Sequence, residues 1–129
     1  MIVDTSALIA ILFDEPDAAT FAHAIAAASV CRMSSATFVE ASIVVEMRTR
    51  AGGMAQLDAL IRTAAIVIEP VTIEQAIDAR QAYVDFGKGR HPAGLNYGDC
   101  FSYALARSRD EPLLFKGQDF GLTDVVAAI

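Results

Sequence analysis

Basic residues are in short supply. Ten Lys and Arg stand against sixteen Asp and Glu, a formal net charge of −6, and a protein that coats nucleic acid indiscriminately would show the opposite balance. The deficit still leaves room for a local basic path beside an acidic pocket. Cysteine and histidine are scarcer: Cys31 and Cys100 are too few and too far apart for a disulfide framework, and His23 and His91 form no zinc-ligand pattern. Both thiols are expected to be buried and free. A membrane-length apolar run is missing too, because the longest uncharged stretch, residues 18–30, is short and broken by Thr20, His23 and Ser29. The N-terminus has no basic signal-peptide flank. These absences point to a soluble, cytoplasmic protein. No repeat and no low-complexity linker interrupts the chain, and residues 1–129 read as a single domain.

What is present in quantity is apolar material. Hydrophobic residues make up 54% of the chain and charged ones 20%, more than a small surface-rich domain usually carries, so part of it is expected in a subunit interface. The opening run Met1-Ile2-Val3 ends at Asp4-Thr5-Ser6. β-Branched Ile2 and Val3 favour a buried strand, and Thr5 and Ser6 are suitable caps for a helix beginning at Ala7. Asp4 would then lie at the carboxyl end of a strand, where open α/β sheets have their functional crevice; a plain helix cap is the competing reading.

Strands and helices alternate through the rest. A helix is expected over 7–13, ended by Asp14-Glu15-Pro16, and a second from Pro16 to about Ala28. A strand over 29–33 leads to a helix over 36–50 capped by Ser34 or Ser35 and closed by Gly52-Gly53. Helix 54–65 and strand 66–69 follow. Thr72 and Gln75 fit a capping box for a helix reaching Phe86, and a basic Gly- and Pro-containing loop follows over 88–94. Asn96 caps a helix running from Asp99 to about Arg107, strand 112–115 follows, and residues 125–129 form an edge strand or tail. The expected architecture is α/β, with a mostly parallel central sheet flanked by helices.

Four acids stand out in this frame. Asp4 and Asp119 each follow an apolar strand, and Asp99 sits in a first helical turn. Glu40 shares helical spacing with Ala36, Ile43, Val44 and Met47, which puts a carboxylate on an apolar stripe where it needs a partner. A salt bridge from elsewhere in the chain or a metal ion would serve. Carboxylates within ~5 Å of one another repel by about 3 kcal/mol per pair at an effective dielectric near 20, and a divalent cation relieves that. Oxygen-only ligands favour Mg²⁺ or Mn²⁺ over zinc, and such a cluster suits in-line attack of water on a phosphodiester.

Ile2-Val3-Asp4-Thr5-Ser6, Glu40, Leu95-Asn96-Tyr97-Gly98-Asp99-Cys100 and Leu113-Leu114-Phe115-Lys116-Gly117-Gln118-Asp119-Phe120 occur in order at intervals that resemble the PIN-domain ribonucleases, specifically the VapC toxins of bacterial toxin–antitoxin modules. The resemblance covers the whole chain and implies a PIN-like three-layer fold. It also implies a Mg²⁺-dependent endoribonuclease in which metal-activated water attacks phosphorus and leaves a 5′ phosphate and a 3′ hydroxyl. Asp4 and Asp99 would be the most direct ligands, with Glu40 and Asp119 completing the sphere. Thr5 or Ser6 would bond a carboxylate or bound water, Asn96 would line the pocket, and Asp124 would be an outer acid or a cap. Lys88, Arg90, His91 and Lys116 would hold RNA by its phosphates. A homodimer and a VapB-type antitoxin lying across the groove are further implications. Two alternatives remain: a non-catalytic PIN-like binding module, and an aspartate-based phosphotransfer enzyme. The haloacid-dehalogenase form of the latter needs an acid where Ser6 stands.

Overall fold

The computed structural model describes all residues, Met1–Ile129. Four short parallel strands, β1 (Ile2–Val3), β2 (Arg32–Ser34), β3 (Val67–Glu69) and β4 (Leu113–Leu114), form one sheet in the order β3-β2-β1-β4. Ile2 aligns with Arg32 on one side and Leu113 on the other, and Arg32 with Val67. Six helices flank the sheet: α1 (Thr5–Leu12), α2 (Ala18–Ala27), α3 (Ser35–Thr49), α4 (Gly53–Thr63), α5 (Ile73–Phe86) and α6 (Tyr97–Arg109). A 3₁₀ turn, Phe120–Leu122, follows β4. The C-terminal segment touches the sheet through one bridge, Leu113 with Ala127. No helix is long and apolar enough to cross a membrane.

The two-residue strands β1 and β4 each supply one residue to each face. Side chains alternate along a strand: Val3 and Leu114 enter a core with Leu8, Phe21, Val45 and Leu57 of α1–α4. Ile2 and Leu113 enter a second core with Ala79, Tyr103 and Leu105 of α5 and α6. The result is three layers, with both cores anchored on β1 and β4. Cys31 and Cys100 are buried and free, as expected.

Local chemistry moves several boundaries. Asp4, rather than Thr5 or Ser6, caps α1, its side chain accepting from the Ser6 N–H at 2.9 Å. Arg50, in a left-handed conformation (φ 58°), ends α3, and the glycine pair expected to close that helix opens the next one, with Gly52 (φ 78°) as its cap. The apolar stripe assigned to α3 also needs correction. Thr37, Ala41 and Val45, a ridge of fourfold spacing, face the core, whereas Ile43 and Met47 are exposed. Glu40 is half-buried for a different reason, the close approach of α6.

Candidate active site

Parallel connections return the carboxyl ends of β1 and β4 and the first turns of α3 and α6 to one edge of the sheet. Asp4 leaves β1 there, 3% exposed. Its Oδ2 accepts from the Ser6 N–H at 2.9 Å and the Ser6 hydroxyl at 2.6 Å, and its Oδ1 accepts from the Ser102 hydroxyl at 2.7 Å. All three partners donate, so the group they enclose is a carboxylate acting as acceptor. Ser6 Oγ in turn accepts from the Lys116 N–H at 2.9 Å, tying β1 to the segment after β4.

Glu40 accepts from the Thr5 hydroxyl at 2.9 Å. Its carboxyl group lies where a Cβ on residue 98 would stand, and only glycine at position 98 lets α6 come this close to α3. Burial raises the Glu40 pKa, with the Thr5 hydrogen bond opposing and Asp4 adding to the rise.

Asp99 plays two local parts. Asn96 and Asp99 form a reciprocal capping box on α6: the Asn96 N–H donates to Asp99 Oδ2 at 2.8 Å and the Asp99 N–H to Asn96 Oδ1 at 3.0 Å. Burial pushes the Asp99 carboxyl up to about 7, against the Asn96 hydrogen bond, and the charges of Asp4, Glu40 and Asp119 push in the same direction as burial. The four acids are therefore electrostatic neighbours. Asp119 itself is exposed, at the start of the 3₁₀ turn.

None of the four carboxylates forms an ion pair, which sets them apart from the protein's other buried acid. Glu69 is held by Arg32 Nη1 at 3.0 Å and Arg109 Nε at 2.9 Å. Ion pairs elsewhere use Glu15, Asp17, Glu111 and Asp124. Burying a carboxylate beside like charges without a cation is costly, and the donor set is all oxygen, so the residues fit a hard divalent ion. No three His, Cys, Asp or Glu side chains already stand in an arrangement able to hold a metal; a cation would have to draw the carboxylates inward.

Two of the residues that build the site escape motif reading. Ser102 and Thr37 are fully buried, their hydroxyls 3.1 Å apart. Because Ser102 gives its proton to Asp4, Thr37 must donate to Ser102. Ser102 lies one turn after Asp99, and Thr37 one turn before Glu40, so helical spacing alone places a hydroxyl beside each acid. A hydroxyl on the apolar face of α6 was the available signal.

The outlying residues separate. Lys88 and Arg90 are exposed on a loop held by the Lys88 N–H to the Leu95 carbonyl, 3.0 Å. His91 accepts the Ala93 N–H on Nδ1 and packs edge-on against Phe86, 5.3 Å between centroids. At Lys116, Glu15 at 2.8 Å and Asp17 at 3.2 Å clasp the ammonium. Asp124 accepts from the Tyr103 hydroxyl at 2.7 Å and pairs with Arg107 at 3.3 Å, and is not among the charges acting on Asp99.

A three-layer α/β fold with unpaired acids gathered at one sheet edge is the arrangement of a PIN domain, and the PIN-domain family description matches residues 1–126. Ribonuclease VapC28 of Mycobacterium tuberculosis is 57% identical over 130 aligned residues, covering 100% of this chain and 98% of that protein. Ribonuclease VapC of Mycolicibacterium smegmatis is 53% identical over 127 residues, covering 98% of each. The chain therefore belongs to the PIN-domain family and, within it, to the VapC ribonucleases. Among solved structures, Mycobacterium tuberculosis VapC20, a sarcin–ricin-loop-cleaving toxin, superposes with a TM-score of 0.79 at 18% identity, covering 97% of this chain and 95% of that one. A toxin–antitoxin complex from Klebsiella pneumoniae gives 0.70 at 17%, covering 99% and 97%. At those identities the likeness concerns the fold.

Proposed function

We propose that the chain acts, as a single PIN domain in the cytoplasm, as a divalent-metal-dependent endoribonuclease toxin, with Mg²⁺ or Mn²⁺ as the ion and a VapB-type antitoxin as its inhibitor. The observation that carries the reading is a buried Asp4 carboxylate with no cationic partner, held only by hydroxyl and amide donors, with unpaired Glu40, Asp99 and Asp119 at the same end of the sheet. Asp4 and Asp99 would be the principal ligands, and Glu40 and Asp119 would complete the sphere. The bound ion would supply Lewis-acid polarisation of a phosphoryl oxygen and a nucleophilic water at neutral pH.

The chain's own residues supply orientation and proton control. Ser6 and Ser102 fix both oxygens of Asp4, and Thr5 turns the Glu40 carboxylate. Asp99, with a pKa near 7 when no cation is present, is the acid whose proton must leave as the site loads. Lys88 and Arg90 meet RNA phosphates beside the acids; His91 shapes that loop, and Lys116 anchors the segment carrying Asp119. The negative charge of the chain suits a basic antitoxin segment lying over the acids. The remaining apolar surface, including Val39, Ile43, Met47 and Met54 on α3 and α4, supports a protein partner or homodimer.

Asp4→Asn and Asp99→Asn are expected to fold and to lose Mg²⁺-dependent cleavage of RNA. Full retained cleavage in either would refute the assignment. Binding without any turnover in the wild type would instead favour the non-catalytic alternative.

A further inference from the structure

Between α5 and α6 runs a groove of about 620 Å³ that the acid site does not use. Tyr83, Tyr97 and Phe101 supply aromatic lining, Arg80 and Lys88 stand on it, Asn96 closes one end, and no acid lines it. In a chain of net charge −6 this is a local reversal of sign. Arg80 and Lys88 belong to no ion pair, since the protein's arginine and lysine pairs use Arg32, Arg48, Arg107, Arg109 and Lys116. Tyr97 is 79% exposed and stands edge-on to Phe101, with centroids 4.9 Å apart and planes at 73°. Phe101 thus braces the tyrosine ring, most of whose surface stays open to solvent. Asn96 belongs to both places, lining the groove and donating its N–H to Asp99 at 2.8 Å. The groove begins where the acid site ends.

Charge selects the occupant. A second copy docked groove to groove about a two-fold axis would bring no acid to Arg80 and Lys88, because the groove has none. An uncharged apolar ligand would leave both cations unanswered. A single RNA strand satisfies both features, offering flat bases to the aromatic faces and phosphates to the cations. We propose that the groove between α5 and α6 seats an unpaired base of the RNA substrate next to the bond being cut, stacked on Tyr97, with its flanking phosphates met by Arg80 and Lys88. The proposal rests on the ribonuclease reading and adds to it a requirement: nucleotides beside the cleavage site are unpaired, as in a loop, because bases stacked inside a duplex cannot enter.

Binding is measured in EDTA, so that nothing is cut. The protein has no tryptophan, and Tyr97→Trp introduces a single fluorescent reporter at the groove. An oligoadenylate about 12 nucleotides long is expected to quench Y97W, while the same backbone carrying abasic sites, and the duplex, leave it unquenched. Tyr97→Ala is expected to weaken oligoadenylate binding about tenfold and leave abasic binding unchanged. Arg80→Gln and Lys88→Gln should each flatten the salt dependence by about 0.7 in log–log slope. Equal binding of normal and abasic strands, absent quenching, or a dimer mass that Tyr97→Ala converts to monomer would overturn the proposal, the last in favour of a second copy. Normal Mg²⁺-dependent cleavage with no effect of Tyr97→Ala on binding rejects the groove and keeps the ribonuclease. Base-dependent quenching without any cleavage does the reverse.

Discussion

Asp4 illustrates how a single residue carries two functions that sequence reading sets against each other. It is the cap of α1 and also the buried acid of the site, because a residue at the end of a parallel strand stands at the start of the following helix. Its orientation depends on Ser102, whose neighbour Thr37 would lose its only hydroxyl partner if Ser102 were removed. Ser102→Ala should therefore lower divalent-cation affinity or RNA cleavage by roughly 10- to 100-fold and cost about 1–2 kcal/mol of stability. Adding Thr37→Val should recover stability but not cleavage, read by thermal melts beside a cleavage assay. Recovery of both would make the hydroxyl pair purely structural. Asp99 sets a pH dependence at the same scale. The folded protein keeps its proton up to about 7, whereas an ordinary aspartate releases it near 3.8. Between those values the folded state binds more protons than the unfolded one, so stability of the metal-free protein falls as pH rises from about 4 to about 7 and levels off above. Glu40, also raised by burial, adds in the same direction. Melts of wild type and Asp99→Asn across that range test this: the variant should show the shallower fall, and parallel curves would contradict it.

At the scale of elements, the contact between α3 and α6 decides the site's geometry. Gly98 is the residue that allows it, since a side chain there would occupy the place of the Glu40 carboxyl group. Gly98→Ala would favour the helix by roughly 1 kcal/mol while displacing Glu40. Retained melting temperature with cleavage reduced about 10²-fold is the expected outcome, and unchanged cleavage would show that Glu40 tolerates the shift. The order of elements and the four acids could be read from local pattern, because apolar strands ending in acids and hydroxyl-led helices carry strong signals. The stripe that marks Glu40 in the sequence is only partly right: Ile43 and Met47 face outward, and its burial comes from the approach of α6 at Gly98, 58 residues away. Long-range partners of this kind leave no local trace. The same holds for the pairing of Lys116 with Glu15 and Asp17, which no local pattern announces. The clasp also explains why β4's exit is held to the loop after α1.

For the whole molecule, the balance of charge and apolar surface governs partners. A chain of net charge −6 binds RNA against its own field, so binding should depend on its few free cations, such as those of the loop after α5. Lys88→Ala with Arg90→Ala should raise the RNA dissociation constant and flatten its salt dependence; an unchanged slope would place the path elsewhere. Exposed apolar residues on α3 and α4 lead to an expected dimer mass by light scattering at micromolar concentration, which a monomer mass would contradict. The central claim is that four unpaired carboxylates form a divalent-cation site. Calorimetric titration of Mn²⁺ into wild type, Asp4→Asn and Asp99→Asn tests it most directly, at pH 6 and pH 8 in buffers of different ionisation heat. The account predicts that wild type binds with proton release at pH 6 and little at pH 8, and that each variant binds at least about tenfold more weakly. Equal affinity in all three proteins, or binding without proton release at pH 6, would contradict it.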